Sequence, residues 1–144
     1  MIYIASKRSK LETIQKKYPN AIICDVTSTS PNTLIKLQDY VRLSFCKDHP
    51  MKHICMKSNR ISQPEILIVS TEVAEFESTL FSDMNAADKR HTVGNNIEFL
   101  KKIDHTIFLR HYHFLSDYDK KKYQAEILVK TSVPIKYITN INSL

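Results

Sequence analysis

Glycine is nearly absent. At average usage a chain of 144 residues would carry about ten, whereas this one has a single glycine, Gly94. Phosphate-cradling loops are thereby excluded, since neither G-x-G-x-x-G nor G-x-x-x-x-G-K-[ST] can be written. Linkers, low-complexity tracts, repeats at solenoid periods and long apolar runs are lacking too. With 42% hydrophobic and 25% charged residues the chain reads as globular rather than disordered, collagen-like or membrane-spanning. Its length fits one domain over residues 1–144. The cysteines, Cys24, Cys46 and Cys55, are too few and odd in number for a disulfide framework. Lys7, Arg8 and Lys10 follow the opening apolar residues too soon for a secretory segment, so a reducing cytoplasm is the expected setting.

What the chain does have is unevenly placed charge, with 21 basic and 15 acidic residues. Residues 1–60 hold eleven basic and four acidic side chains, residues 61–115 five and eight, and residues 116–144 five and three. Basic ends around an acidic middle suit a polyanion bound at a face built from the terminal segments, and equally suit plain solubility.

The pattern predicts an α+β fold of short elements in irregular order. Met1–Ala5, Ala21–Val26, Val41–Cys46, Glu65–Ser70 and Tyr123–Lys130 read as strands, with Ile135–Thr139 a further one beyond Pro134. Helices are expected after Ser6 or Ser9, with Leu11, Ile14 and Tyr18 on one face, and after Pro31. Others are expected after the Asp48-His49-Pro50 cap through Met56, over Thr71–Thr79, and over Asn95–Ile103 with Ile97, Leu100 and Ile103 aligned.

Glu126 is the leading candidate for chemistry. On the last strand it shares a face with Gln124, lies between Ala125 and Ile127, and follows Lys120-Lys121-Lys122. A partly desolvated carboxylate beside a cationic, aromatic lip is one reading; an ordinary exposed glutamate on an edge strand is the other. The lip interleaves Tyr112, Tyr118 and Tyr123 with Lys120, Lys121 and Lys122, which suits phosphate contacts with base stacking. Cys46, His49, His53 and Cys55 cluster, but C-x2-H-x3-H-x-C is not a structural-zinc spacing, and no metal is expected. Thr27–Ser30 reads as a turn, and His105, His111 and His113 as a solvated loop.

Tyr123–Lys130 followed by Val133-Pro134-Ile135 resembles the Q-A-E-[FIV]-L-V…P stretch of the DarT family of NAD-dependent ADP-ribosyltransferases, which modify bases in DNA. Two more blocks agree in order: Tyr40–Phe45 with His49-Pro50-Met51, and Phe81-Ser82-Asp83-Met84-Asn85-Ala86. The resemblance covers roughly residues 39–140 and leaves residues 1–38 divergent. It implies an ADP-ribosyltransferase fold, with two small mixed or antiparallel sheets forming a cleft for NAD+. Glu126 matches the family's catalytic glutamate, which holds the ribose, stabilises the developing cation and assists deprotonation of the base. Ser44, Phe45, His49 and Met51 would line the NAD+ site, Asp83 and Asn85 would shape the turn beside it, and Gln124 would position the acceptor base. The family's N-terminal H-x-T-H-like motif is replaced by Tyr3-Ile4-Ala5-Ser6, so Tyr3 or Ser6 would stand in for its histidine. Its arginine before the P-M pair is replaced by Lys47-Asp48-His49, leaving Arg42, Lys47 or Arg8 for the pyrophosphate. The implied partners are single-stranded nucleic acid, DNA ahead of RNA, and a macrodomain antitoxin, with the chain as toxin or phage-defence effector. The rival expectations are a catalytically impaired nucleic-acid binder with the same fold, and a transferase acting on protein.

Overall fold

The computed structural model describes residues 2–5, 22–23, 37–60 and 64–140. Its strands are β1 (Ile2–Ala5), β2 (Ile22–Ile23), β3 (Tyr40–Ser44), β4 (Glu65–Ile68), β5 (Leu80–Ser82), β6 (Val93–Gly94), β7 (Glu126–Lys130) and β8 (Val133–Pro134). Among the described residues three short α-helices accompany them: α1 (Pro50–Lys57), α2 (Ile97–Lys102) and α3 (Asp117–Lys122). Six strands form one antiparallel sheet in the order β4-β1-β3-β7-β5-β6, and β2 pairs with β8. The expected α+β class is what the chain adopts.

β7 is an interior strand, paired to β3 from Tyr40↔Lys130 through Ser44↔Glu126 and to β5 from Leu80↔Leu128 through Ser82↔Glu126. The edge-strand reading of Glu126 is therefore overturned. Alternation along β7 splits it between two covered faces. Ile127 and Val129 join Val41, Leu43, Val73, Phe81 and Ile103 in the main core. Leu128, on the face of Glu126, packs against Leu37 and Ala86. Alternation alone cannot tell a strand with one wet face from one buried on both, which is why the edge reading stayed open.

Helix boundaries follow caps more than apolar period. His49 caps α1 with Pro50 at its first position, as the sequence predicts. Ser116 caps α3, whose Asp117 and Asp119 lie in the first turn and Lys120–Lys122 in the last, a charge order matched to the helix dipole. α2 is shorter than expected: Ile103 is buried, but Ile97 is 58% exposed and leaves the predicted stripe. The expected 71–79 helix shrinks to a 3-10 turn at Thr71–Glu75, because Thr79 turns its Oγ1 back onto the Val73 carbonyl at 2.7 Å. Pro134 ends β8 and a 3-10 turn at Ile135–Tyr137 replaces the predicted strand. The expected helices after Ser6 or Ser9 and after Pro31, and the Thr27–Ser30 turn, lie outside the described residues apart from the 3-10 turn at Leu37–Asp39.

Gly94 is required by close approach. It pairs with Phe81 across β5–β6, and a Cβ at this position would fall within the ring of Phe99. Gly94→Ala should push that ring out of the core at a cost of about 1–3 kcal/mol. Urea denaturation would read the change as a lower midpoint.

Candidate active site

Strand register assembles the site. Directly opposite Glu126 stand Ser44 on β3 and Ser82 on β5, both small and buried. Their hydroxyls donate to the carbonyls of Cys46 at 3.0 Å and Met84 at 2.8 Å. Arg42 sits opposite Leu128, diagonal to Glu126 on the same face, a separation that only a long side chain bridges. Its guanidinium forks onto the carboxylate, with Nε to Oε1 and Nη2 to Oε2 each 2.9 Å. The Ala86 N–H donates to Oε2 at 2.8 Å. Glu126 is 5% exposed, so a buried carboxylate is matched by a bidentate cation and a fixed backbone dipole.

A turn between β5 and β6 carries the second half. Asp83 accepts from the Thr92 N–H at 2.8 Å and its hydroxyl at 2.7 Å, closing the turn. Asn85 then links three elements. Its Oδ1 accepts from Ala87 N–H at 2.9 Å and from Arg42 Nη2 at 3.4 Å, and its Nδ2 donates to Gln124 Oε1 at 2.8 Å. Gln124 is buried and donates onward to the Lys120 carbonyl at 2.9 Å, so it braces the turn against α3.

His49 is one of two buried histidines, with His91, whose Nε2 has no partner among the described residues. Its Nδ1 accepts from the Met51 N–H at 3.2 Å, which puts the ring proton on Nε2, and that buried N–H meets no acceptor among the described residues. Such a donor costs about 1–3 kcal/mol unless something binds it. Burial, helped by the nearby Arg42 charge, pushes the imidazole down to about 4 from its ordinary 6.5. The unfolded chain therefore takes up a proton that the fold refuses between those values. Stability should be complete above about pH 6.5 and fall by up to about 3 kcal/mol as pH drops toward 4. His49→Gln should flatten that slope in urea titrations at successive pH values.

The remaining predicted residues are placed unevenly. Phe45 is half-buried, stacked on Phe108 with ring centroids 5.2 Å apart, and Met51 is 39% exposed on α1. Tyr3 lies on β1 opposite Leu67, while Ser6 and Arg8 are outside the described residues. Tyr123 requires a correction. It is 5% exposed, packed with Ile107 and Leu115, and burial raises its phenol to about 12, so its ring is not open to a base. Tyr112 is half-buried with Lys120 Nζ 5.7 Å from its ring. Lys121 and Lys122 are half-buried in the last turn of α3. Sequence reasoning missed Ala86, which acts through its backbone and so leaves no side-chain signal.

An antiparallel sheet that buries a cation-held glutamate on an interior strand, beside an amide pair and an unsatisfied imidazole, defines an α+β enzyme working on a polar substrate without a glycine loop. The family model described as "DarT: ssDNA thymidine ADP-ribosyltransferase, DarT" matches residues 5–143, and the chain belongs to that family, as the three motifs imply. Thermus sp. 2.9 DarT in complex with NAD+ is similar in structure, with a TM-score of 0.75 at 17% identity over 95% of this chain and 77% of that one. The same protein in complex with ADP-ribosylated ssDNA gives 0.75 at 16% identity with the same coverage. Thermosipho africanus DarTG in complex with ADP-ribose gives 0.65 at 21% identity, over 95% of this chain and 42% of that one. At such identities these likenesses establish a common fold. No curated protein matches the chain by sequence.

Proposed function

We propose that this chain transfers ADP-ribose from NAD+ to a thymine base of single-stranded DNA, with Glu126 as the catalytic carboxylate. The observation that carries the reading is the buried Glu126, held by Arg42 and the Ala86 N–H, in a chain of the DarT family. NAD+ supplies an activated glycosidic bond whose cleavage releases neutral nicotinamide. The bond from the ribose anomeric carbon to nicotinamide breaks, a bond to the base forms, and the base gives up its proton. Glu126 offers negative charge where the ribose turns cationic and a proton acceptor for the attacking base. Arg42 holds the carboxylate at a fixed angle, a positioning task distinct from the pyrophosphate contact expected of it. The free Nε2–H of His49 suits a ribose, amide or phosphate oxygen of the dinucleotide. Ser44, Phe45 and Met51 would line the same site, and Tyr3 or Ser6 would take the place of the family's N-terminal histidine. Asp83 and Asn85 shape the turn on which Gln124 is braced.

No described helix is long and apolar enough to cross a membrane. A cytoplasmic toxin or defence effector, opposed by a macrodomain antitoxin that removes the mark, is the biological setting that fits. The test is to incubate the chain with adenylate-labelled NAD+ and separate DNA, RNA and protein. Label on single-stranded DNA supports the reading. Label confined to protein, or tight oligonucleotide binding with no label at all, would overturn it.

A further inference from the structure

The start of α1 is built around one ring. His49 holds extended backbone, takes the Met51 N–H on its Nδ1 at 3.2 Å and takes the Lys52 N–H on its carbonyl at 3.0 Å. Pro50 has no N–H, so these first backbone donors of the helix are directed at His49 itself. What the turn still presents is the Nε2–H of the ring, on a residue only 6% exposed and without an acceptor among the described residues. The helix cap fixes this tautomer, because a neutral ring that accepts at Nδ1 carries its proton at Nε2. His91 is the opposite case. Its Nδ1 lies 2.6 Å from the Asp88 carbonyl, which can only accept, so in the neutral ring its Nε2 is a bare lone pair. Of the two, His49 is the one that offers a buried donor. It does so near the guanidinium of Arg42, which is forked onto Glu126, and burial together with that charge keeps the imidazole neutral.

We infer that His49 is a specificity residue for the nicotinamide end of NAD+, donating its Nε2–H to the carboxamide oxygen. Charge selects the acceptor. A phosphate buried against a neutral donor would lack a counter-cation there, since Arg42 is taken by Glu126. The carboxamide supplies the one carbonyl oxygen of the dinucleotide, and it is uncharged. It also belongs to the group that leaves from the ribose carbon whose developing charge Glu126 answers. A donor already desolvated in the free chain gains more from a partner than one that must first shed water. The contact exists before the glycosidic bond breaks, so it acts on affinity for the dinucleotide more than on the chemical step. The inference rests on the use of NAD+ proposed above and adds to it which end of the dinucleotide His49 reads.

Calorimetry of the intact chain with two probes tests it. Carba-NAD+ is a form of the dinucleotide whose nicotinamide cannot leave, and ADP-ribose keeps both riboses and the pyrophosphate but lacks the carboxamide. His49→Asn retains an oxygen that can cap the Met51 N–H and has no donor at the Nε2 position, whereas His49→Gln puts an amide N–H close to that position. His49→Asn should bind carba-NAD+ about tenfold more weakly than the parent. His49→Gln should recover most of that affinity, and ADP-ribose should bind both variants as it binds the parent. An equal fall for ADP-ribose in His49→Asn would put the ring against ribose or phosphate, or make it a structural cap alone, and would overturn the inference. Carba-NAD+ binding that His49→Asn leaves unaltered would overturn it as well. A parent chain that binds neither probe would overturn the NAD+ reading itself, and this inference with it.

Discussion

Glu126→Gln should lower ADP-ribosyl transfer to single-stranded DNA by about 10²–10⁴, a barrier increase of roughly 3–5 kcal/mol. The substitution keeps an oxygen for the Ala86 N–H and much of the shape that Arg42 embraces, so the fold should survive. The loss should fall on turnover, because the charge is needed only as the ribose turns cationic and the base sheds its proton. Oligonucleotide affinity should move little, since the carboxylate is buried and offers a strand little contact area. Transfer that persists at the parental rate would remove Glu126 from the mechanism. A parallel collapse of turnover and oligonucleotide affinity would instead mark it as a structural residue.

Arg42→Met is the second substitution with a large expected effect, and it acts on stability first. It leaves Glu126 charged, buried and without its bidentate partner, a situation that costs about 3–5 kcal/mol. The lower end applies because the Arg42 side chain is 22% exposed and water can reach part of the gap. The double variant Arg42→Met/Glu126→Gln removes the stranded charge and should regain most of the loss. Urea denaturation of the two singles and the double closes the cycle. An additive double would mean that the fork contributes nothing beyond its separate parts.

How much of this was legible depended on whether a signal was local. The α1 start could be read because Pro50 belongs at a first helical position and His49 precedes it. Glu126 could be singled out because the residues flanking it form a recognisable string. The partner of Glu126 could not be chosen: Arg42 lies 84 positions away, and only the register Arg42↔Leu128 shows that it reaches diagonally. α3 was read as a charged lip because Asp117–Lys122 has a single apolar side chain, Tyr118, and therefore no period to detect. The same lip made Tyr123 look available, although it follows the end of α3 and turns into a small core with Ile107 and Leu115. Phe99 against Gly94 was equally hidden, since composition registers a scarce residue without saying which ring presses on it.

The central position of β7 has a consequence for how the molecule opens. Strands flank it on both sides and apolar side chains cover both faces, so its amides should yield to solvent only in global unfolding. The segment leading into it is built differently. Leu109 and Phe114 are 88% and 86% exposed, and Ile107 and Leu115 are the buried anchors of residues 105–116. With so few buried anchors, that stretch should exchange its amides faster than β7. Glu126 and the 105–116 stretch should therefore belong to different cooperative units, so that this stretch can open while the carboxylate keeps its place.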